Sequence, residues 1–568
     1  MILILAAILF FARLGARALW SEEFRWAEIA REMTLTHHYF WPTINGRAYF
    51  DKPLGTYWLI VAASYLTGAV NEAAARIPCA IAGLVAVGLL ILMTRRLYDR
   101  RAALISGIVL ATSFSFVFFA RTASADVETI TGELAALALF LRNEERTDGW
   151  WVIGLWLIMA VTSLMKGLLG FVLPLVVIGA YSCLADGWYE LRHLVHGDVA
   201  ARIRWLVARN RWFFNWRTPL AIALAAIIYY APFAISHLRT GSTKGIYMVY
   251  RENVERYFEP FDHRGPIYLY LYVIFALMAP WSAFLPAALT HAHQRRHAGA
   301  DHARSDRFAL TFFWATFIFF TLSGSRRSYY LLPILPAGAL LVARLIGAPQ
   351  ESLSKGARWL LKGGYAAVIV AVALSTLTFF PPSWFMPGRY ATLPDAPARG
   401  IFAIYWVLAV AAIVWALMKF EWRRVTVSAC AIAYLFMVYF YIFAMPAGDA
   451  WRGEKAFAAR SRATIGAQAP RLAFFMNDGP AFYLGYSVPV PEYDSRRQID
   501  TAVKQDQVKW IITRRRAAKR LNFPVTMVDH EAVYPWDSHR HRGNAMVLLR
   551  VNPPDIGPNE DGGERRAE

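Results

Sequence analysis

For its size this 568-residue chain has few acidic residues and almost no cysteine, and both shortages exclude whole classes of protein. Its three cysteines, Cys79, Cys183 and Cys430, each lie inside an apolar run. They read as small packing residues, and neither a disulfide framework nor a cysteine metal site follows from them. Acidic residues number 40 against 60 basic ones, a formal net charge of +20. In a soluble chain that excess would point to nucleic acid. Here the basic residues gather in short loops between hydrophobic runs, the pattern of topology signals facing anionic lipid headgroups. No basic segment precedes the first apolar run, because Arg13 and Arg17 come after it has begun, and no small-residue cleavage site follows. Residues 1–19 are therefore expected to be an uncleaved first span. Internal repeats and heptads are also missing, which disfavours an inverted-repeat transporter.

What the chain has in abundance is apolar surface. It is 57% hydrophobic and 15% aromatic, with positive mean hydropathy, so a polytopic α-helical membrane protein is the first reading. A crossing needs about 20 apolar residues, fewer inside a bundle. Candidate spans are roughly 2–19, 75–93, 102–120, 127–141, 150–163, 167–184, 219–236, 267–289, 308–323, 329–346, 363–380, 401–418 and 425–444, about thirteen. The segment 54–69 carries Pro53, Gly55 and Gly68 with Tyr57, Trp58 and Tyr65, and is read as interfacial.

Charge bias supports that choice. If 54–69 does not cross, Arg95–Arg101, Arg142 and Arg146, the arginines from Arg192 to Arg217, Arg295–Arg304, Lys355–Lys362 and Lys419–Arg424 share one side. The positive-inside rule makes that side cytoplasmic. The other face then receives Glu22, Glu23, Asp51, Lys52, Asp126, Lys166, the loop 237–266 and Arg326–Tyr330. The expected organisation is a transmembrane catalytic domain over 1–445, with extracytoplasmic interfacial helices at about 21–69. A small extracytoplasmic α/β domain over 446–551 and a disordered tail over 552–568 complete it. Strand-like runs at Leu472–Met476, Val508–Ile512, Val525–Val528 and Ala545–Val551 carry the α/β expectation.

Five polar groups stand out on the outer face. Glu22 and Glu23 open an amphipathic helix whose apolar side is Phe24, Ala27, Ile29, Ala30 and Met33, with Ser21 as a candidate N-cap. The bland alternative is that both only complement the helix dipole. Asp51-Lys52-Pro53 follows a turn at Asn45-Gly46 and reads equally as a local ion pair. Asp126 ends Arg121-Thr-Ala-Ser-Ala-Asp126, where a helix cap is the plain reading. Lys166 in Lys166-Gly-Leu-Leu-Gly170 reads also as a snorkelling lysine, and Arg326, Arg327, Tyr329 and Tyr330 as interfacial anchors. Taken together they suit a sugar carried on a lipid phosphate. Carboxylates position the sugar or deprotonate a hydroxyl acceptor, while Lys and Arg hold the phosphate leaving group.

The order of these motifs resembles the polyprenyl-phosphate-dependent membrane glycosyltransferases, a GT-C type superfamily of protein O-mannosyltransferases and lipid A aminoarabinose transferases. The resemblance is carried by Trp20–Glu28, Tyr49-Phe-Asp-Lys-Pro53, Ala75-Arg-Ile-Pro78, Arg121–Asp126, Met165-Lys-Gly167 and Tyr329-Tyr-Leu-Leu-Pro-Ile-Leu-Pro336. It covers roughly 13–345 and leaves the C-terminal region unassigned.

The resemblance implies transfer of a sugar from a polyprenyl-phosphate donor to a lipid or envelope-glycan acceptor, lipid A or similar, on the extracytoplasmic face of the inner membrane. Protein O-glycosylation within the same superfamily is the alternative, and a flippase for lipid-linked sugars is the rival class. It also implies catalytic roles for Glu23, Asp126 and Glu22, and carrier-phosphate roles for Lys52, Lys166, Arg256, Arg326, Tyr329 and Tyr330. Two departures stand out: relatives commonly have Asp-Glu where this chain has Glu22-Glu23, and Asn253 falls where aminoarabinose transferases commonly place a metal-binding histidine. Asp51, with His37, His38, His237 or His263, is left as a candidate ligand set for a divalent metal ion.

Overall fold

The computed structural model describes residues 1–20, 22–146, 149–186, 198–259, 264–296, 302–375, 396–418, 421–448, 453–466, 471–477, 481–533 and 539–552. The expectations for Ser21, Arg192, His263, Lys419 and the tail from 553 lie outside them. Contacts divide the chain into a helical unit ending at Gly448 and a second unit that follows it and takes in Asn45–Arg47.

The chain begins with α1 (Ile2–Phe11), α2 (Glu23–Thr36), a short hairpin of β1 (Thr43–Ile44) and β2 (Arg47–Ala48), and α3 (Gly55–Thr67). Asn45 and Gly46 both take positive φ, 50° and 74°, as a tight hairpin turn requires. Next come α4 (Glu72–Leu97), α5 (Arg100–Ala111), α6 (Phe114–Ala120), α7 (Asp126–Asn143), α8 (Trp151–Lys166) and α9 (Leu169–Leu184). At the start of α4 the Asn71 side chain accepts the Ala74 N–H, an N-cap bond. The α7–α8 seam depends on Gly132, where any Cβ would run into the Thr162 side chain. Small residues let membrane helices approach this closely.

Among the described residues, six helices are long and apolar enough to cross a membrane, or up to eight if each of two bent pairs is one span. The bent pairs revise two expected continuous spans. The stretch 102–120 breaks by 66° between α5 and α6, and Leu269–Leu277 meets Trp281–Arg295 at 117°. At the first break Ser113 Oγ donates to Val109 O at 2.8 Å, a side-chain bond that competes with the helix ladder. At the second, Pro280 has no N–H to offer. The two breaks satisfy each other: Phe114 N donates to Ala279 O at 2.8 Å, and Trp281 Nε1 to Thr112 Oγ1 at 2.8 Å. Broken helices survive at membrane depth only where protein supplies such partners. The segment 54–69 forms α3, a helix of 13 residues, short for a crossing.

The second unit carries a five-stranded sheet in the order β4-β3-β5-β7-β6, with β3 Leu472–Phe475, β4 Glu492–Tyr493, β5 Trp510–Arg514, β6 Val525–His530 and β7 Met546–Val551. Strands form at each of the four apolar runs, and β4 adds an edge that was too short and polar to stand out. β3 pairs parallel with β4 and β5, while β7 runs antiparallel to β5 and β6. Side chains alternate between faces with period two. Leu472, Phe474, Ile512 and Leu548 pack with Phe457 and Ala458 on one face; Ala473, Phe475, Ile511 and Leu549 pack with Ile499 and Ala502 on the other.

Candidate active site

The helical unit encloses a cavity of about 740 Å³. That is ample for a sugar and a phosphate. Its wall includes Glu22, Glu23, Asp51, Lys52, Asp126, Lys166, Arg256, Tyr329 and Tyr330, residues that the chain scatters over more than 300 positions. Five parts of the chain supply them: the start of α2, the loop entering α3, the α7–α8 pair, the segment Lys244–Phe258 and the short helical segment Ser328–Ile334.

Glu23 is 1% exposed. Its carboxylate accepts Arg76 Nε at 2.8 Å and Nη2 at 2.7 Å, Ala123 N at 2.8 Å and Trp20 N at 3.2 Å. Arg76, itself 2% exposed, also donates to the carbonyls of Leu14, Arg17 and Ala18 at 2.9–3.0 Å. One ion pair therefore ties together the exit of α1, the start of α2, the first turns of α4 and the loop that carries Asp126. The Glu23 carboxylate thus meets four donors, and its charge is matched by a guanidinium. Arg76, in an otherwise apolar stretch of α4, was the available signal: a charge there demands a partner.

Glu22 behaves differently. It precedes the first turn of α2, keeps 47% of its side chain exposed and pairs with Arg25 one turn on. Arg25 also faces Asp51 Oδ2 at 3.8 Å, lies 5.6 Å from the Tyr49 ring centre and donates to the Tyr49 hydroxyl. Burial pushes the Tyr49 hydroxyl up to about 12 although the Arg25 charge opposes it, so Tyr49 stays a neutral donor at physiological pH.

Asp126 is the first helical residue of α7, preceded by Ala125 at the cap position, and its carboxylate pairs with Lys166 at the end of α8. The cap reading fails because that carboxylate points across the helix pair. Lys166 Nζ lies 5.9 Å and 5.8 Å from the Tyr329 and Tyr330 ring centres, and the Tyr329 hydroxyl accepts Arg327 Nη1 at 2.9 Å. Gly167, at φ +92°, turns the chain out of α8. Asn253 Oδ1 accepts Leu168 N at 2.7 Å and docks the segment Lys244–Phe258 against that turn.

Lys52 and Arg256 face each other across Glu252. Glu252 Oε2 lies 3.2 Å from Lys52 Nζ and 3.1 Å from Arg256 Nη1. Burial holds the Lys52 ammonium below the usual lysine range; Glu252 works against this and the nearby Arg256 charge adds to it. Arg326 is the sequence candidate that the structure does not bring to the cavity. Its Nε donates to Thr321 O at 3.1 Å and its Nη1 to Gly265 O at 3.0 Å, so it braces backbone, while Arg327 lines the wall. Neighbouring arginines are indistinguishable in sequence; only the chain's path decides which one faces inward.

Among the described residues no three His, Cys, Asp or Glu side chains come together to hold an ion. Asp51 faces Arg25, His37 approaches the Tyr39 hydroxyl and His237 the carbonyl of Ser242. Among the described residues Asp51, His37 and His237 thus do not come together as a divalent-metal site.

Over residues 51–197 the chain matches the family model described as dolichyl-phosphate-mannose-protein mannosyltransferase. It is 28% identical over 411 residues to an undecaprenyl phosphate-α-4-amino-4-deoxy-L-arabinose arabinosyl transferase of Pectobacterium carotovorum, covering 69% of this chain and 67% of the relative. The like-named protein of Erwinia tasmaniensis is 26% identical, over 64% of this chain and 63% of the relative. The crystal structure of ArnT from Cupriavidus metallidurans bound to undecaprenyl phosphate superposes with a TM-score of 0.72 at 20% identity, over 98% of both chains. The two chains share one fold.

Proposed function

We propose that this chain, a membrane glycosyltransferase of the polyprenyl-phosphate-dependent GT-C superfamily, moves a sugar from a polyprenyl-phosphate carrier to a lipid or envelope-glycan acceptor of the lipid A type. The observation that carries this reading is the polarity of the cavity. Glu22 and Asp126 present carboxylates, while Lys52, Arg256, Lys166 and Arg327 bring cations to the same space. A sugar phosphate calls for both kinds of group. An amino sugar such as the 4-amino-4-deoxy-L-arabinose in the relatives' names would add a cation that Glu22 and Asp126 suit.

In this reading the sugar's anomeric carbon is displaced from the carrier phosphate, which leaves as a stabilised anion held by Lys52 and Arg256. A hydroxyl acceptor passes its proton to Glu22 or Asp126. A phosphate acceptor is already anionic, and the carboxylates then orient the sugar and stabilise positive charge developing on its ring. Thirteen crossings, a cytoplasmic face rich in arginine and a periplasmic cavity in the inner membrane belong to the same proposal, supported by the charge bias of the loops.

The test uses purified protein with a panel of polyprenyl-phosphate sugars and an envelope-lipid extract, followed by mass spectrometry. Sugar transfer with release of free polyprenyl phosphate is the expected result. Absence of release from every donor by folded protein would overturn the reading in favour of a transporter.

A further inference from the structure

The place where Lys52 and Arg256 converge is held by a protein oxygen. Glu252 Oε2 receives both cations, and the Glu252 side chain is only 8% exposed. Surface pairs of this kind contribute little, but this one is largely shielded and joins groups 200 residues apart. Its support is firm. Glu252 lies in a π-helical turn, Arg251–Glu255, a local irregularity common at functional sites. The next residue, Asn253, is fastened at both ends, donating to Val249 O at 2.8 Å and accepting from Leu168 N at 2.7 Å. Lys52 is fixed further by a 3.0 Å bond from its Nζ to Asp51 O.

We propose that Glu252 is a built-in counter-ion standing where a phosphate oxygen of the carrier binds, and that it makes the site prefer the sugar-linked carrier over the carrier phosphate left after transfer. This rests on the donor assignment made above. The sugar-linked carrier is a phosphodiester with a single negative charge. When the bond from the anomeric carbon to the phosphate oxygen breaks, its electron pair stays on that oxygen. The product is a monoester of about −1.5 to −2 at pH 7. Lys52 and Arg256 offset by Glu252 match the diester. The same two cations without Glu252 match the monoester, and the product is held. Glu252 thus favours product release, a role distinct from binding the donor.

The experiment measures inhibition of transfer by added undecaprenyl phosphate, together with donor KM and kcat, in the full-length protein and its Glu252→Gln, Glu252→Asn and Glu252→Asp variants. Direct binding of undecaprenyl phosphate is followed in parallel. Neutralising Glu252 is expected to lower the inhibition constant by about tenfold, equivalent to roughly 1.4 kcal/mol. Donor KM should move less and kcat should fall as release slows, while Glu252→Asp stays near wild type. Glu252→Asn carries the same expectation as Glu252→Gln should the latter fail to fold. An inhibition constant that rises or holds steady, or that falls only in step with donor KM, overturns the proposal and leaves Glu252 as a brace for the two cations. Wild-type protein that neither transfers sugar nor binds undecaprenyl phosphate overturns the donor assignment itself.

Discussion

Glu22 and Glu23 are adjacent and chemically identical, yet a rotation of about 100° around the helix separates two fates. Glu23 meets a guanidinium and two backbone N–H groups in the protein interior; Glu22 meets the partly exposed Arg25 at the cavity wall. Their substitutions should separate accordingly. Removing one partner of a buried ion pair costs about 3–5 kcal/mol. Glu23→Gln should therefore lower the unfolding temperature and the yield of folded protein, and Glu23→Gln with Arg76→Gln should recover part of the loss. Glu22→Gln should unfold like wild type but lose about 10²-fold or more in kcat. A stable, inactive Glu23→Gln would instead assign Glu23 to the reaction itself.

Lys52 sets a pH dependence at the same scale. Its ammonium titrates below the usual lysine range, chiefly through burial. An anionic phosphate binds the charged form only, so carrier affinity should be full at neutral pH and weaken as pH rises through the lowered pKa. Lys52→Arg, which keeps its charge, should flatten that alkaline loss. An unchanged alkaline limb in Lys52→Arg would assign it to another group.

At the scale of elements, the turn after α8 and the segment Lys244–Phe258 act as one piece. Gly167 takes φ +92°, and a Cβ there would strike the Asn253 side chain. Gly167→Ala should thus strain the turn and displace Asn253, moving Lys166 on one side and Glu252 and Arg256 on the other. Donor KM should rise severalfold or more. Gly179→Ala, inside α9 with nothing within 4 Å of a new Cβ, is the control and should match or slightly exceed wild-type stability. Equal behaviour of the two variants would refute the coupling. The broken pairs α5–α6 and Leu269–Leu277 with Trp281–Arg295 show where element-level reading of sequence stops. Hydropathy registers a continuous apolar run, and the bend depends on a partner break more than 150 residues away.

For the whole molecule, the charge bias of the loops makes one firm forecast. In a variant lacking Cys79, Cys183 and Cys430, a cysteine at Ser242 should react with a membrane-impermeant reagent added to intact cells. One at Arg100 should react only after the membrane is opened. Reversed labelling would invert the topology and move the cavity to the cytoplasmic side.

Much of the candidate site could be read from the chain because it is built from costly residues. Charges such as Glu22, Asp126 and Lys166 beside apolar helices are expensive unless they have work to do, so their presence alone marks them. The four apolar runs after residue 470 likewise suffice to place four strands, since alternation and β-branched or aromatic content are local properties. Tertiary structure decided which charges cancel and which remain open. Pairing depends on distances between segments that sequence does not order: Glu23 with Arg76, Lys52 with Glu252, Asp126 with Lys166, Arg327 inward and Arg326 outward. Burial sets the strength of each pairing, so the same carboxylate is buried and fully paired in one position and half-exposed at the cavity in the next.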